Sequence, residues 1–281
     1  MKIITSLAEI QTYCRSARAD GASIGLVPTM GFLHEGHLSL MRRARAENDV
    51  LVISIFVNPT QFGQGEDYKE YPRDLQRDSE MAESVGVDVI FTPTPEDMYP
   101  TEYATFVNVE RITEKMCGAS RPGHFRGVTT VVAKLFNLIH PNKAYFGQKD
   151  AQQSVVIKRM VADLNFDIKI VVMPTVREED GVAMSSRNRY LSPAGRQAAL
   201  VLSRSLRTAK ELIESGQRDT AEILREMREV IEAQTLAKID YIAIVDADTL
   251  DDIDIVRGKT LIALAVFIGK TRLIDNMLLD V

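Results

Sequence analysis

Apolar residues fall into two kinds of run along the chain. Residues 50–57 (VLVISIFV) are apolar on both faces, the pattern of a central strand in a parallel sheet. Residues 24–27 form a shorter run of the same kind, closed by Pro28. Between them Leu38, Leu40, Met41 and Ala44 recur at roughly helical spacing among arginines. Strand, helix and strand within about forty residues predict a βαβ unit with a right-handed crossover. The alternation continues with a helix over 74–85, a strand over 87–91 and a helix over 128–139 closed by His140-Pro141. A strand over 143–146, a helix over 150–164 and a strand over 166–173, stopped by Pro174, follow. This order predicts an α/β fold, a doubly wound Rossmann-like parallel sheet. After Pro174 the texture changes. A polar stretch over 177–189 precedes amphipathic helices over 193–214 and 220–234, and then strands over 239–245 and 260–267. Helices followed by strands predict a smaller C-terminal α+β domain, so the expected domains are 1–175 and 176–281.

Composition narrows the class. The chain has 281 residues, 45% hydrophobic and 26% charged, a globular balance rather than a disordered one. Acidic residues number 39 and basic residues 34, giving a net charge of −5. That speaks against a broad nucleic-acid surface and leaves room for a local basic pocket. The longest clean apolar run, residues 261–268, is far short of the ~20 residues that cross a bilayer. Glu9 appears before the apolar core of a signal peptide could develop. Cys14 and Cys117 are the only cysteines and suggest neither a metal cluster nor a disulfide framework, so a reducing cytoplasm is the expected setting.

Five polar segments interrupt this framework. Pro28-Thr29-Met30-Gly31-Phe32-Leu33-His34-Glu35-Gly36-His37 follows the first sheet strand and opens a helix, where open α/β sheets bind ligands. Helix N-terminal amides and two imidazoles suit a polyphosphate, and Gly36 lets the backbone approach closely. Zinc is the competing use, but the two His are three apart rather than four and only Glu35 is at hand as a further ligand. Asn58-Pro59-Thr60-Gln61-Phe62 ends the second strand. Its amides could bind a small substrate, although an Asn-Pro turn alone explains Asn58. Ser120-Arg121-Pro122-Gly123-His124-Phe125-Arg126-Gly127 could hold a carboxylate or phosphate, or be a solvated basic loop. In Phe146-Gly147-Gln148-Lys149-Asp150-Ala151-Gln152-Gln153, Lys149 offers a point charge for a phosphate, and Asp150 is either a helix N-terminal acid or a ribose acceptor. Met184-Ser185-Ser186-Arg187 could close over a phosphate as a mobile loop with two hydroxyls and a cation. The chain has no GxxxxGK[ST] segment and no GxGxxG after its first strand, which disfavours Walker-type and dinucleotide sites.

Taken together, these residues resemble a known family. His34-Glu35-Gly36-His37 looks like the HxGH signature of the HIGH-type nucleotidyl-transfer superfamily, and Met184-Ser185-Ser186-Arg187 looks like its KMSKS-like element. Within that superfamily the chain resembles the pantoate–β-alanine ligase (pantothenate synthetase) family over essentially its whole length. The likeness rests on Pro28-Thr29-Met30-Gly31, Val57-Asn58-Pro59-Thr60-Gln61-Phe62, Tyr71-Pro72-Arg73, the segments around Arg121 and Lys149, and Ser185-Ser186-Arg187-Asn188. The resemblance implies that pantoate attacks Mg-ATP to give pantoyl adenylate and pyrophosphate, and that β-alanine then gives pantothenate and AMP. It implies catalytic roles for His34, His37, Lys149 and Arg187. ATP would also be held by Met30, Gly147, Asp150, Ser185 and Ser186, with Gly147 and Asp150 on the ribose. Pro28, Met30, Gln61 and Gln153 would line the pantoate pocket. Asn58, Arg121 and His124 would lie at the site, Asp78 on its metal side, with Mg2+ as cofactor and a homodimer as the assembly.

The physics agrees, because nucleotidyl transfer needs positioning and charge neutralisation more than a protein nucleophile. The adenylate must be kept from water, a task for a lid on the second domain. The main alternative is a cytidylyl- or adenylyltransferase acting on a phosphorylated acceptor, but the neutral Gln61 and Gln153 suit a hydroxy acid better. A nucleotide-binding regulator without turnover would not need Lys149 and Arg187 together with both His. An RNA-charging synthetase is disfavoured by the acidic net charge.

Overall fold

The structure is a computed structural model and describes residues 1–281. In chain order the elements are β1 (Lys2–Ile4), α1 (Leu7–Ala19), β2 (Ile24–Thr29), α2 (Glu35–Glu47), β3 (Val50–Ile55), α3 (Leu75–Ser84) and β4 (Val89–Phe91). Then come α4 (Pro95–Met98), α5 (Cys117–Ser120), α6 (His124–Ile139), β5 (Lys143–Gly147), α7 (Ala151–Asp163) and β6 (Lys169–Met173). The last part holds α8 (Pro193–Ala198), α9 (Leu200–Glu214), α10 (Thr220–Glu232), β7 (Ala237–Asp246), β8 (Lys259–Ile268) and β9 (Thr271–Asp280). Packing divides the chain into two units. One comprises Met1–Glu110, Arg121–Gly147 and Val156–Pro174, the other Arg111–Ser120, Gln148–Val155 and Thr175–Val281. Residues 111–120 and 148–155, which the sequence reading assigns to the first domain, therefore pack with the second unit.

The first unit is built on a parallel sheet in the order β1-β4-β3-β2-β5-β6. Alternate residues of each strand enter different cores. Leu26, Val52, Phe91 and Ala144 join Ile10 and Cys14 of α1 and Val132, Leu135 and Phe136 of α6. Val27, Leu51, Ile53, Ile90 and Tyr145 join Leu38, Met41 and Ala44 of α2 and Ala82 of α3. Helices thus cover both faces, which is why the 50–57 run is apolar throughout. The strand order reverses between β2 and β5, and such a switch point opens a crevice at the carboxyl ends of the strands. Pro28 was expected to end its strand, yet β2 continues to Thr29. The Thr29 carbonyl accepts from the Phe56 amide beyond β3, so by alternation the Pro28 nitrogen faces β5. There the ladder stops at Leu26↔Ala144, so the missing N–H interrupts no sheet bond.

In the second unit, β7, β8 and β9 form an antiparallel sheet. One face of β8 sends Ile262, Leu264 and Val266 into a core with α9 and α10. The other sends Leu261 and Ala263 against Val245, Leu250, Ile112, Met116, Ala151 and Val155. The two short segments of the unit thus cover the second sheet face, which explains the long apolar run over 261–268. Two strands were expected here and three are present, because buried Asp275 and Asn276 interrupt the apolar pattern of β9. The single helix expected over 193–214 is two, α8 and α9. At their junction the Leu202 amide bonds to the Ala199 carbonyl, the tighter i→i+3 pattern. No helix is long and apolar enough to cross a membrane.

Candidate functional site

The loop after β2 is shaped by a carboxylate. Thr29 Oγ1 donates to the Ser54 carbonyl at 2.7 Å and accepts from the Gly31 amide at 3.1 Å. Gly31 sits at φ +82°, and a Cβ there would lie 2.9 Å from both Asp78 Oδ2 and Ile55 Cγ2. Glycine is therefore required twice over, by conformation and by space. The next two amides, of Phe32 and Leu33, each donate to a different oxygen of Asp78 at 2.7 Å. Asp78 is 1% exposed, and burial pushes its carboxyl above the usual range while the two amides and Arg77 pull the other way. The resemblance places Asp78 on the metal side. In the structure its two oxygens hold the loop, and no cluster of three or more His, Cys, Asp or Glu surrounds it.

The clamped loop delivers His34 as the N-cap of α2 in extended conformation, φ −147° and ψ 174°. The His34 amide donates to His37 Nδ1 at 3.3 Å, so in the neutral ring the proton of His37 lies on Nε2. The two imidazoles lie against each other with centroids 4.0 Å apart and planes tilted by 34°, at the positive end of the helix. Helix N-terminal amides and ring N–H groups together form an anion-binding arrangement. Glu35, the conceivable third zinc ligand, is paired with Arg42 along α2, which holds its carboxyl below the usual range.

The turn after β3 is built by Asn58, 1% exposed. Its Oδ1 accepts from the Thr60 amide at 3.3 Å, Thr60 Oγ1 at 2.9 Å and the Tyr99 hydroxyl at 2.8 Å. Its Nδ2 donates to the Gly127 carbonyl at 3.1 Å and to Gln61 Oε1 at 3.3 Å. Burial pushes the Tyr99 phenol up to about 12, so it remains a donor. Asn58 thus shapes the turn that presents Gln61. Gln61 Nε2 in turn donates to Met30 Sδ at 2.9 Å, bringing two expected pantoate residues side by side. Pro28, the third, lies within β2 just upstream. A cavity of about 240 Å³ opens beside Met30, lined also by Ile55, Phe56, Tyr68, Arg73 and Asp78. Tyr68 and Arg73 were not singled out as site residues: Arg73 entered only within Tyr71-Pro72-Arg73, with no role attached, and nothing in the spacing marks Tyr68.

The loop around Arg121 is more internally satisfied than a basic loop suggests. Arg121 grips Glu66 with two bonds, Nε–Oε1 at 2.6 Å and Nη2–Oε2 at 2.7 Å. Burial opposes the charge on Glu66, but Arg121 outweighs it and the carboxyl lies below its usual range. His124 Nδ1 lies 2.8 Å from the Gln61 carbonyl, which can only accept, so Nδ1 carries the proton. Nε2 then accepts from Arg121 Nη1 at 3.1 Å. Arg121 and His124 therefore brace Gln61 from behind.

The remaining expected residues belong to the second unit, apart from Gly147 at the end of β5. Lys149 and Asp150 lie in a 3-10 turn ahead of α7, with Nζ 3.8 Å from Asp150 Oδ2. Gln153 is half-buried on α7. Its neighbour Gln152 is structural, donating to the carbonyls of Ile112 and Lys115 and accepting from the Cys117 amide. Ser185 caps the turn Ser186–Tyr190 by accepting from the Arg187 amide at 3.2 Å. Ser186 is buried, and Asn188 ties the turn back to Glu178 and the Ala183 carbonyl.

The pantoate–β-alanine ligase family model matches residues 2–278. The chain belongs to the pantoate–β-alanine ligase family. It is 61% identical over 281 residues to the pantothenate synthetase of Heliobacterium modesticaldum, with all of both chains covered. It is 58% identical to that of Moorella thermoacetica, over 100% of this chain and 99% of the relative. Among solved structures, the pantothenate synthetase of Thermus thermophilus superposes with a TM-score of 0.94 at 47% identity, with 99% of each chain covered. The pantoate–β-alanine ligase of Francisella tularensis, solved with β-γ ATP and β-alanine, gives 0.82 at 38% identity, over 99% of this chain and 97% of that one.

Proposed function

We propose that the chain joins pantoate to β-alanine through a pantoyl adenylate, with ATP cleaved to AMP and pyrophosphate. The pantoate carboxylate attacks the α-phosphorus of ATP and pyrophosphate leaves. The β-alanine amine then attacks the acyl carbon and AMP leaves. The observation that carries this reading is the pair of adjacent imidazoles at the N-terminus of α2, in a chain of this family. His34 and His37 meet the phosphates as charge develops there, and Lys149 and Arg187 add positive charge. Ser185 and Ser186 donate to the phosphates, while Asp150 and the Gly147 backbone take the ribose. Met30 lines both substrates, and Pro28, Gln61 and Gln153 complete the pantoate pocket, with the Gln amides donating to it. Asn58, Arg121 and His124 act at one remove, through Gln61. Mg2+, bound with ATP as the counter-ion of its phosphates, would supply positive charge to the leaving pyrophosphate, with the His34, His37, Lys149 and Arg187 side chains supplying the protein's own share. We place the enzyme in the cytoplasm, as a homodimer whose second unit, which takes in residues 111–120 and 148–155 as well as 175–281, carries the Ser185-Ser186-Arg187 lid. The test is AMP release with each substrate omitted in turn, alongside exchange of pyrophosphate into ATP. Exchange that depends on pantoate supports the reading, and exchange driven by a phosphorylated acceptor would replace it with the transferase alternative.

A further inference from the structure

β9 crosses the core of the second unit, yet it places two polar residues side by side there. Asp275 is 2% exposed and Asn276 is 3% exposed. A buried carboxylate or amide is unfavourable unless its polar atoms are matched, and an apolar pair would serve sheet packing alone. Both are matched in a directed way. Asp275 receives Arg177 through two bonds, at 2.7 and 2.9 Å, and its Oδ1 also accepts the Asn276 amide at 2.8 Å. Arg177 Nη2 reaches on to the Asn276 carbonyl at 3.4 Å. The backbone of Asn276 is thereby held from both sides.

The side chain of Asn276 then points its donors at one place. Nδ2 donates to the carbonyl of Gln148 at 2.8 Å and to that of Lys149 at 2.9 Å. Its Oδ1 accepts from Gln148 Nε2 at 3.4 Å. Two bonds to consecutive carbonyls fix both the position and the tilt of the peptide that carries the Lys149 side chain. That peptide lies in the 3-10 turn leading into α7. We propose that Asn276, itself held by the Arg177–Asp275 pair, is a positioning residue for Lys149. This inference rests on the reading of Lys149 as a group that meets the ATP phosphates. A point charge acts on a developing phosphate charge only from a set distance, and a displacement of ~1 Å can lower a rate by ~100-fold.

The test is a double-mutant cycle on the whole chain with Lys149→Ala, Asn276→Ala and the combination. Adenylate formation and amine attack are followed separately in single turnovers, with melting temperature recorded for each variant. Asn276→Ala is expected to slow adenylate formation by ~10–100-fold at saturating ATP and to leave amine attack on preformed adenylate nearly intact. The double variant is expected to be no slower than Lys149→Ala. Where Asn276→Ala melts far below wild type, Asn276→Asp, of the same size but lacking both donors, takes its place and should show the same pattern. Losses that add, equal losses in both steps, or a wild-type rate for adenylate formation would each overturn the positioning role. So would failure of both variants to fold, which makes Asn276 a structural requirement. A wild-type rate in Lys149→Ala would remove the reading of Lys149 and this inference with it. A crippled Lys149→Ala with additive Asn276→Ala overturns the inference alone.

Discussion

Gly127 gives the sharpest test of how packing reaches the site. It lies in the first turns of α6, at helical φ, where alanine would ordinarily raise stability by ~1 kcal/mol. A Cβ at this position would fall 2.3 Å from the Thr60 carbonyl oxygen, 2.5 Å from its carbon and 2.6 Å from the Gln61 nitrogen. All three are backbone atoms of the turn that Asn58 builds, so no side chain can rotate away. Relief to an ordinary contact near 3.4 Å needs a separation of about 1 Å between α6 and that turn. Overpacking costs ~1–3 kcal/mol, and against three backbone atoms that cannot rotate away the upper part of that range applies, ~2–3 kcal/mol, a net loss of ~1–2 kcal/mol after the gain in helix propensity. Gly127→Ala should therefore melt below wild type by roughly 2–8 °C, at ~2–4 °C per kcal/mol for a unit of this size. The displacement falls on Gln61, whose side chain meets Met30 and whose carbonyl is braced by His124. The KM for pantoate should rise ~10-fold or more while the KM for ATP changes less. Differential scanning fluorimetry and initial rates at varied pantoate measure the two effects. A variant that melts at or above wild type with an unchanged KM for pantoate would refute the reasoning at its first step.

Three further outcomes follow from the same geometry. Asp78→Asn keeps the shape of the side chain but turns an NH2 toward one of the two loop amides, leaving a buried clash of donors worth ~1–3 kcal/mol. Its melting temperature should fall and its adenylate formation slow, and near-normal values for both would show that the loop does not depend on the clamp. His34→Ala and His37→Ala should each impair adenylate formation more than amine attack on preformed adenylate, and single-turnover assays with equal losses in both steps would contradict their placement on the phosphates. Glu66 titrates below its ordinary value near 4.5 because of Arg121, so its stabilising effect is complete above that value and lost as pH falls through the lowered one. The melting-temperature gap between wild type and Glu66→Gln should thus be widest near neutral pH and close on acidification, and a gap that does not vary with pH would exclude the ion pair as its source.

The parallel sheet was legible because both of its faces are buried, and continuous apolar runs such as 50–57 report that directly. What stayed hidden has physical causes. β1 is a three-residue edge strand with Ile3 half exposed, too short for a pattern. α1 buries only Ile10 and Cys14, a stripe one side chain wide. β9 escaped because Asp275 and Asn276 break its apolar alternation, and only their partners in space make those positions tolerable. The segments 111–120 and 148–155 carry no boundary signal, since their allegiance is set by Ile112, Met116, Ala151 and Val155 covering a sheet face formed far along the chain.

The polar motif residues divide by what their atoms already touch. Asn58, Arg121 and His124 stand in motif segments and Asp78, on α3, was expected beside them, yet their oxygens and nitrogens are committed to backbone amides, carbonyls or Glu66. A run of sequence cannot separate such braces from the groups they brace, because both sit at the same strand end and both are polar. Three-dimensional partners can. Each of these braces, like Asn276, fixes a backbone segment that carries one proposed site residue: Asp78 the loop to His34, Asn58 and His124 the turn of Gln61, Asn276 the turn of Lys149. Nucleotidyl transfer asks the protein chiefly for placement of charge and donors, so a site built for it needs at least as many residues holding its few reactive contacts as making them.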